Sequence, residues 1–130
     1  MSPNAIVRAD GVFEIGLGLL LVAGSALDWL NGDDFPSPVG TTVIVVVGVA
    51  LVVIGGLLWR LASGAVPAEL LRNLALGNAV TALAAIVWRV AAEGFSDAGS
   101  AIVLATAGAL LALAAVQLSV IQRAGRAPRP

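Results

Sequence analysis

Four long apolar stretches, separated by short polar connections, fill most of this chain. No charged side chain occurs within residues 15–27, 35–59, 73–88 or 98–122. A helix needs about 20 apolar residues to cross a hydrocarbon core of about 30 Å, and each stretch with its flanks supplies them. The pattern predicts an all-α integral membrane four-helix bundle. Its transmembrane helices are expected near residues 11–30, 39–59, 70–90 and 99–122.

Turn-forming residues keep the connections between these helices short. Pro67 suits the first turn of the third helix, where its missing N–H costs nothing. Either Ser96 or Asp97 suits the N-cap of the fourth helix. Residues 1–123 are therefore expected to form one four-span domain, followed by a disordered basic cytoplasmic tail at residues 124–130.

The basic residues predict which side of the membrane each connection faces. All seven are Arg, and six fall on one side of the predicted helices: Arg8, Arg60, Arg72, Arg123, Arg126 and Arg129. Only Arg89 falls on the other side. Because cytoplasmic loops accumulate basic residues, both termini are expected in the cytoplasm. Aromatic side chains are then expected to anchor the helices at the two interfaces: Trp29, Phe35, Trp88 and Phe95 outside, and Phe13 and Trp59 inside.

The amino-acid composition indicates the class of protein and the membrane in which it is expected. Apolar residues make up 59% of the chain and charged residues 12%, against roughly 45–50% and 25% in soluble domains. The net charge of −1 provides no basic field for nucleic acid. Ala, Gly, Val, Leu and Arg dominate and Lys is absent, which favours a GC-rich bacterial genome. We expect a multi-pass protein of the bacterial cytoplasmic (inner) membrane.

Most residues used in catalysis are missing. The chain has no Cys and no His, which excludes thiol chemistry, disulfides and the commonest metal ligand. Gly16-Leu17-Gly18 lies inside an apolar helix, where packing is favoured over nucleotide binding. We therefore expect a non-enzymatic protein without a metal or cofactor. Its expected partners are the lipid bilayer and other membrane proteins or a second copy, with no nucleic acid.

Small residues predict the faces through which the helices meet, because lipid provides no hydrophobic drive for helix association. The predicted stripes are Thr41, Gly48, Gly55 and Ala62 in the second helix, Gly77, Thr81 and Ala85 in the third, and Ala101, Ala105 and Ala109 in the fourth. In the first helix the interior stripe is expected to contain Asp10, Glu14, Gly18, Leu21, Ser25 and Asp28. Asp10, near the membrane interface, is expected to be a solvated cap paired with Arg8.

Glu14 is the central candidate site residue, in an intramembrane polar cluster with Arg72, Asn78 and Gln117. A rise of about 1.5 Å per residue places Glu14 about 10 Å to the cytoplasmic side of the midplane. A carboxylate there costs on the order of 2–3 kcal/mol unless it is paired or neutralised. One interpretation is a structural ion pair between Glu14 and Arg72, with hydrogen bonds from Gln117 or Asn78 that lock the first, third and fourth helices together. The other is a neutralised Glu14 that binds a proton or cation.

Several motifs resemble those of small uncharacterised four-helix integral membrane proteins of GC-rich bacteria, a group with no established activity. They are Arg8-Ala9-Asp10-Gly11, Gly55-Gly56-Leu57-Leu58-Trp59-Arg60, Asn78 and Gln117. Glu14 is also similar to the membrane-embedded Glu of the small multidrug resistance family, which implies binding of protons and cationic drugs. The chain departs from that family because it has no Tyr and its Arg distribution favours one orientation. The first hypothesis is an accessory or interaction subunit, and the alternative is a small proton-coupled transporter that uses Glu14.

Overall fold

The computed structural model describes residues 1–126, which form four helices joined by short connections. The helices are α1 (Pro3–Ala26), α2 (Thr41–Leu61), α3 (Ala68–Ala91) and α4 (Asp97–Arg126), with a 3₁₀ turn at Gly32–Asp34. The predicted all-α class is confirmed, since the described residues contain no strand. α4 continues into the segment predicted to be disordered, so residues 124–126 are helical. Residues 127–130, which include Arg129, lie outside the described residues.

α1 begins at Pro3 rather than near residue 11, and it ends before residue 30. Ser2 caps the helix by accepting a hydrogen bond from the Ala5 backbone N–H at 3.1 Å. Pro3 occupies the first turn, where no N–H is needed. After the helix, Asp28 takes a left-handed conformation (φ 59°), through which a right-handed helix cannot continue.

Three of the four helices, α2, α3 and α4, are long and apolar enough to cross a membrane, judged by length and composition. Many of their large apolar side chains are exposed. On α2, for example, Val46 is 60% exposed and Val53 is 56% exposed. Contiguous apolar surface of this kind suits lipid rather than water. α1 has 24 residues but carries Arg8, Asp10 and Glu14 in its first half.

Glycine contacts pack α1 tightly along α2. Gly11 lies against Gly55, and Gly18 lies against Gly48. A Cβ atom at Gly55 would lie 2.5 Å from the Gly11 carbonyl oxygen, so a larger residue would force the helices apart. The prediction that Gly48 and Gly55 mark the contact face of α2 is confirmed. With this antiparallel register, residues 5–25 of α1 run beside the whole of α2.

Alanines at seven-residue spacing form the corresponding contact between α3 and α4. Ala75 and Ala82 of α3 are buried, and so are Ala107 and Ala114 of α4. Small side chains at these positions let the two backbones approach closely. α3 and α4 therefore form a second antiparallel pair.

Most positions of the contact stripes predicted for α3 and α4 at four-residue spacing are wrong, although Ala85 does pack against the buried clusters. Gly77, Thr81, Ala101 and Ala105 are exposed, and a Cβ atom at Gly77 would meet nothing within 4 Å. Each step of four residues advances about 40° beyond a full turn, so the stripe winds away from the partner helix. A step of seven residues stays within about 20° of one face.

The two hairpins, α1–α2 and α3–α4, meet through α1 and α4. α2 and α3 do not pack against each other along their lengths, so the bundle is open on that side. We call the end where α1 begins, α4 ends and α2 connects to α3 the terminal end. There, apolar side chains from all four helices form one cluster that contains Ile6, Val7, Leu58, Leu71 and Val120.

At the opposite end, which we call the loop end, the two remaining connections are tied together. The Asp34 carboxylate accepts hydrogen bonds from the Ser96 hydroxyl and the Asn31 backbone N–H, and these bonds hold the pKa of Asp34 below its usual range. Their contribution to stability is present at neutral pH and is lost as the pH falls through that lowered pKa. Ser96 also accepts a hydrogen bond from the Gly99 N–H at 3.0 Å, which confirms it as the N-cap of α4.

An aromatic cluster packs beside this tie. The rings of Phe35 and Trp88 stack with their centroids 6.2 Å apart, and Phe95 lies edge-on to Trp88 at 4.7 Å. Phe35 is buried, whereas Trp29 and Trp59 are exposed. Phe35, Trp88 and Phe95 thus hold the two hairpins together at the loop end.

Candidate functional site

Three buried polar side chains join α1 to α3 and α4. Asp10 is fully buried, and its Oδ2 atom accepts hydrogen bonds from Gln117 Nε2 at 2.6 Å and from Asn78 Nδ2 at 2.9 Å. Asn78 Nδ2 also donates to Gln117 Oε1 at 3.2 Å. These bonds offset part of the cost of burying a carboxyl group away from water. We call Asp10, Asn78 and Gln117 the Asp10 triad.

The prediction that Asp10 is a solvated cap is wrong. Because α1 starts at Pro3, Asp10 lies about two turns inside the helix, on its interior face. Arg8, its predicted partner, is exposed, and its guanidinium lies 5.6 Å from the centre of the Trp59 ring. The missed signal was Ser2 followed by Pro3, a helix start eight residues before Asp10.

Glu14 lies one helical turn from Asp10 and is half-buried. Its Oε2 atom is buried and has no hydrogen-bond partner within the described part of the chain. The α1–α2 register places residue 15 beside residue 51, the centre of α2. Glu14 therefore lies at mid-height in the bundle rather than about 10 Å towards the terminal end as predicted.

The predicted polar cluster forms only in part. Asn78 and Gln117 come together, but the carboxyl group to which they donate is Asp10. Arg72 is exposed on α3, and Glu14 makes no ion pair with it within residues 1–126. The structural interpretation of Glu14 relied on Arg72 and on hydrogen bonds from Gln117 or Asn78. The side-chain positions do not support it, because Arg72 is exposed and both amides donate to Asp10.

A cleft lies between the hairpins, on the side where α2 and α3 do not pack. Its volume is about 380 Å³, within the range of small-molecule sites. All four helices line it, and most of the lining side chains are apolar, while Phe35 and Trp88 lie at its loop end. The polar side chains that line it are Glu14, Asn78, Thr81 and Thr106. Such a cleft can hold an apolar molecule and present one carboxyl group and three neutral polar groups to it.

Asn78 connects the cleft to the Asp10 triad. Its side chain lines the cleft and also donates to Asp10 Oδ2, whereas Asp10 and Gln117 are fully buried behind the cleft wall. Glu14 lines the cleft one turn from Asp10. The candidate site therefore has two parts, an apolar cleft with Glu14 at mid-height and the buried Asp10 triad one helical turn away.

No known protein family, curated protein or solved structure matches the chain. The resemblances to small four-helix proteins of GC-rich bacteria and to the small multidrug resistance family therefore stay predictions.

Proposed function

We propose that all four helices cross the bacterial cytoplasmic membrane and that both termini are cytoplasmic. α1 runs beside the full length of α2, so it must cross wherever α2 crosses. Its Asp10 is buried in the bundle and accepts hydrogen bonds from Gln117 and Asn78, which lowers the cost of placing that carboxyl group at membrane depth. The orientation follows from the excess of Arg at the terminal end, which includes Arg8, Arg60 and Arg72.

Single cysteines can test this topology, because the natural chain has none. Ser37→Cys and Glu93→Cys lie in exposed positions at the loop end, and Ser63→Cys lies in an exposed position at the terminal end. An impermeant thiol reagent is expected to label the first two on intact cells, and Ser63→Cys only after the membrane is disrupted. The opposite pattern would contradict the orientation. Labelling of all three on intact cells would indicate a dual orientation.

We propose that the protein is a non-enzymatic accessory or interaction subunit whose cleft binds an apolar or amphipathic molecule dissolved in the membrane. The observation that carries this proposal is the cleft itself, apolar and open between α2 and α3. At about 380 Å³ it suits a small molecule better than a partner helix, whose diameter with side chains is about 10 Å. A chain without Cys or His has few groups with which to transform such a molecule.

A second candidate function is a small proton-coupled transporter. The observation that favours it is the position of Glu14, whose carboxyl group lines the cleft at mid-height with an oxygen that has no hydrogen-bond partner among residues 1–126. A membrane-embedded acid in that position could bind a proton and a ligand in turn. Unlike the first function, this one requires a proton flux across the membrane. Glu14→Gln is expected to abolish that flux.

Native mass spectrometry of the protein released from its own membrane tests the binding function. The wild-type protein is expected to retain a small molecule as an added mass. Thr106→Trp, which fills the cleft, is expected to lose this added mass, because Thr106 lines the wall. Thr42→Trp is the matched control, since Thr42 is exposed on α2 and does not line the cleft. Equal retention by both variants, or no added mass on the wild type, would count against the proposal.

A further inference from the structure

Asp10 and Glu14 each have one buried carboxyl oxygen without a hydrogen-bond partner in the described part of the chain. These atoms are Asp10 Oδ1 and Glu14 Oε2. Residues four apart in a helix lie on the same face, with their Cβ atoms about 5–6 Å apart. Two ionised carboxylates at that separation repel each other, and burial of their oxygens strengthens the repulsion.

No positive charge compensates this pair within residues 1–126. The Arg residues of the four helices on this side of the bundle are exposed: Arg8 on α1, Arg60 on α2, Arg72 on α3 and Arg123 on α4. The groups that face Asp10 from α3 and α4 are the neutral amides of Asn78 and Gln117. Both amides donate to the same oxygen, Asp10 Oδ2, and leave Oδ1 free to face a different partner.

A proton satisfies these atoms better than a metal ion does. Hard cations such as Ca²⁺ take six to eight oxygen ligands, and Asp10 Oδ2 is already engaged by two N–H donors. The described residues contain no group of three or more acidic, His or Cys side chains that could hold a metal. One proton needs only an oxygen that carries it and an oxygen that accepts its hydrogen bond.

We propose that Asp10 and Glu14 form a proton-binding site, in which a single proton is held between Asp10 Oδ1 and the Glu14 carboxyl group. Binding forms one O–H bond on either acid, and this O–H donates to the carboxylate of the other. Release returns the proton to water and leaves both acids ionised. Asn78 and Gln117 act as positioning residues, because they fix the orientation of the Asp10 carboxyl group through Oδ2.

This inference goes beyond the proposed binding function, because the site holds its proton whether or not the cleft contains a molecule. It also adds Asp10 to Glu14 in the transporter alternative. Failure of the mass spectrometry experiment would leave the proton site intact. Conversely, Asp10→Asn removes the proton site without changing the lining of the cleft, since Asp10 does not line it.

Infrared spectroscopy of the purified full-length protein in detergent tests the proposal. The C=O stretch of a protonated carboxylic acid is distinct from that of a carboxylate, and it shifts in D₂O when the proton exchanges. Exposed carboxyl groups are ionised at pH 7, since their ordinary pKa is about 4. The wild-type protein is therefore expected to show one protonated carboxyl group per chain at pH 7. Asp10→Asn and Glu14→Gln are each expected to abolish that signal, because each removes half of the pair.

The control is Asp28→Asn, which changes an exposed acid just after α1 and is expected to keep the signal. A wild-type spectrum without a protonated acid at pH 7 would overturn the proposal, and this measurement needs no variant to fold. A signal that survives Asp10→Asn but not Glu14→Gln would assign the proton to Glu14 alone and overturn the shared site. A signal that survives Glu14→Gln but not Asp10→Asn would assign the proton to Asp10 alone and would also overturn the shared site.

Discussion

Gly55→Leu is expected to lower the melting temperature of the detergent-solubilised protein strongly, whereas Gly56→Leu is expected to leave it unchanged or raise it. A Cβ atom at Gly55 would lie 2.5 Å from the Gly11 carbonyl oxygen and 2.9 Å from the Ile15 backbone nitrogen. Overpacking of this kind costs about 1–3 kcal/mol or more. A Cβ atom at Gly56 would meet nothing within 4 Å, so there the gain in helix propensity of about 0.5–1 kcal/mol is not offset.

Adjacent positions on one helix make this a matched comparison, because both changes add the same side chain to α2. Thermal unfolding followed by circular dichroism would measure the difference. Equal melting temperatures for the two variants would contradict the α1–α2 register. Gly77→Leu on α3 extends the comparison, and its exposed position predicts little effect.

Gln117→Leu is expected to destabilise the protein by about 1–3 kcal/mol, the usual cost of leaving a buried polar group without its partner. The substitution removes the 2.6 Å hydrogen bond to Asp10 Oδ2 and the acceptor for Asn78 Nδ2. Leu has a similar size, so the effect reports the lost hydrogen bonds more than a change in packing. Unfolding in a mild detergent, titrated with a denaturing one, would give the free-energy difference.

Gln122→Leu is the control for this experiment. Gln122 lies on the same helix as Gln117 but is exposed, so the same replacement removes no buried hydrogen bond. Its free energy of unfolding is expected to stay within about 0.5 kcal/mol of the wild type. If Gln117→Leu proved equally neutral, the Asp10 triad would not contribute to the stability of the bundle.

The sequence allowed the helices to be predicted because their length and apolar character follow from local composition. The contact face of α2 was equally accessible, since Gly48 and Gly55 are small residues surrounded by Val, Ile and Leu. The faces of α3 and α4 were harder, because Ala and Gly occur on several sides of both helices. There the choice between Gly77 and Ala82 depends on which residues the neighbouring helix presents, and no local pattern contains that information.

The candidate site was predicted only in part, because it too depends on which residues the neighbouring helices present. Asn78 and Gln117 stood out as the polar groups of otherwise apolar segments, and the structure brings them together. The sequence pattern predicts Glu14 as their carboxyl partner, because a helix that starts near residue 11 leaves Asp10 at its end. The cleft was not predicted at all, since it results from the separation of α2 and α3 rather than from any property of one helix.

If the cleft binds a membrane-dissolved molecule as proposed, the open side of the bundle between α2 and α3 determines how strong that binding needs to be. Both ends of the bundle are closed, by the Ile6–Val120 cluster at one end and by the Asp34–Ser96 tie with its aromatic cluster at the other. In the proposed membrane placement, a molecule that reaches Glu14 from between the helices comes from the bilayer, where its own hydrophobicity has already concentrated it far above its level in water. A site supplied from such a reservoir can be occupied with only weak intrinsic affinity. Selectivity among membrane-dissolved molecules then depends on the polar groups at Glu14, Asn78, Thr81 and Thr106 rather than on apolar contact, which the lipid provides equally well.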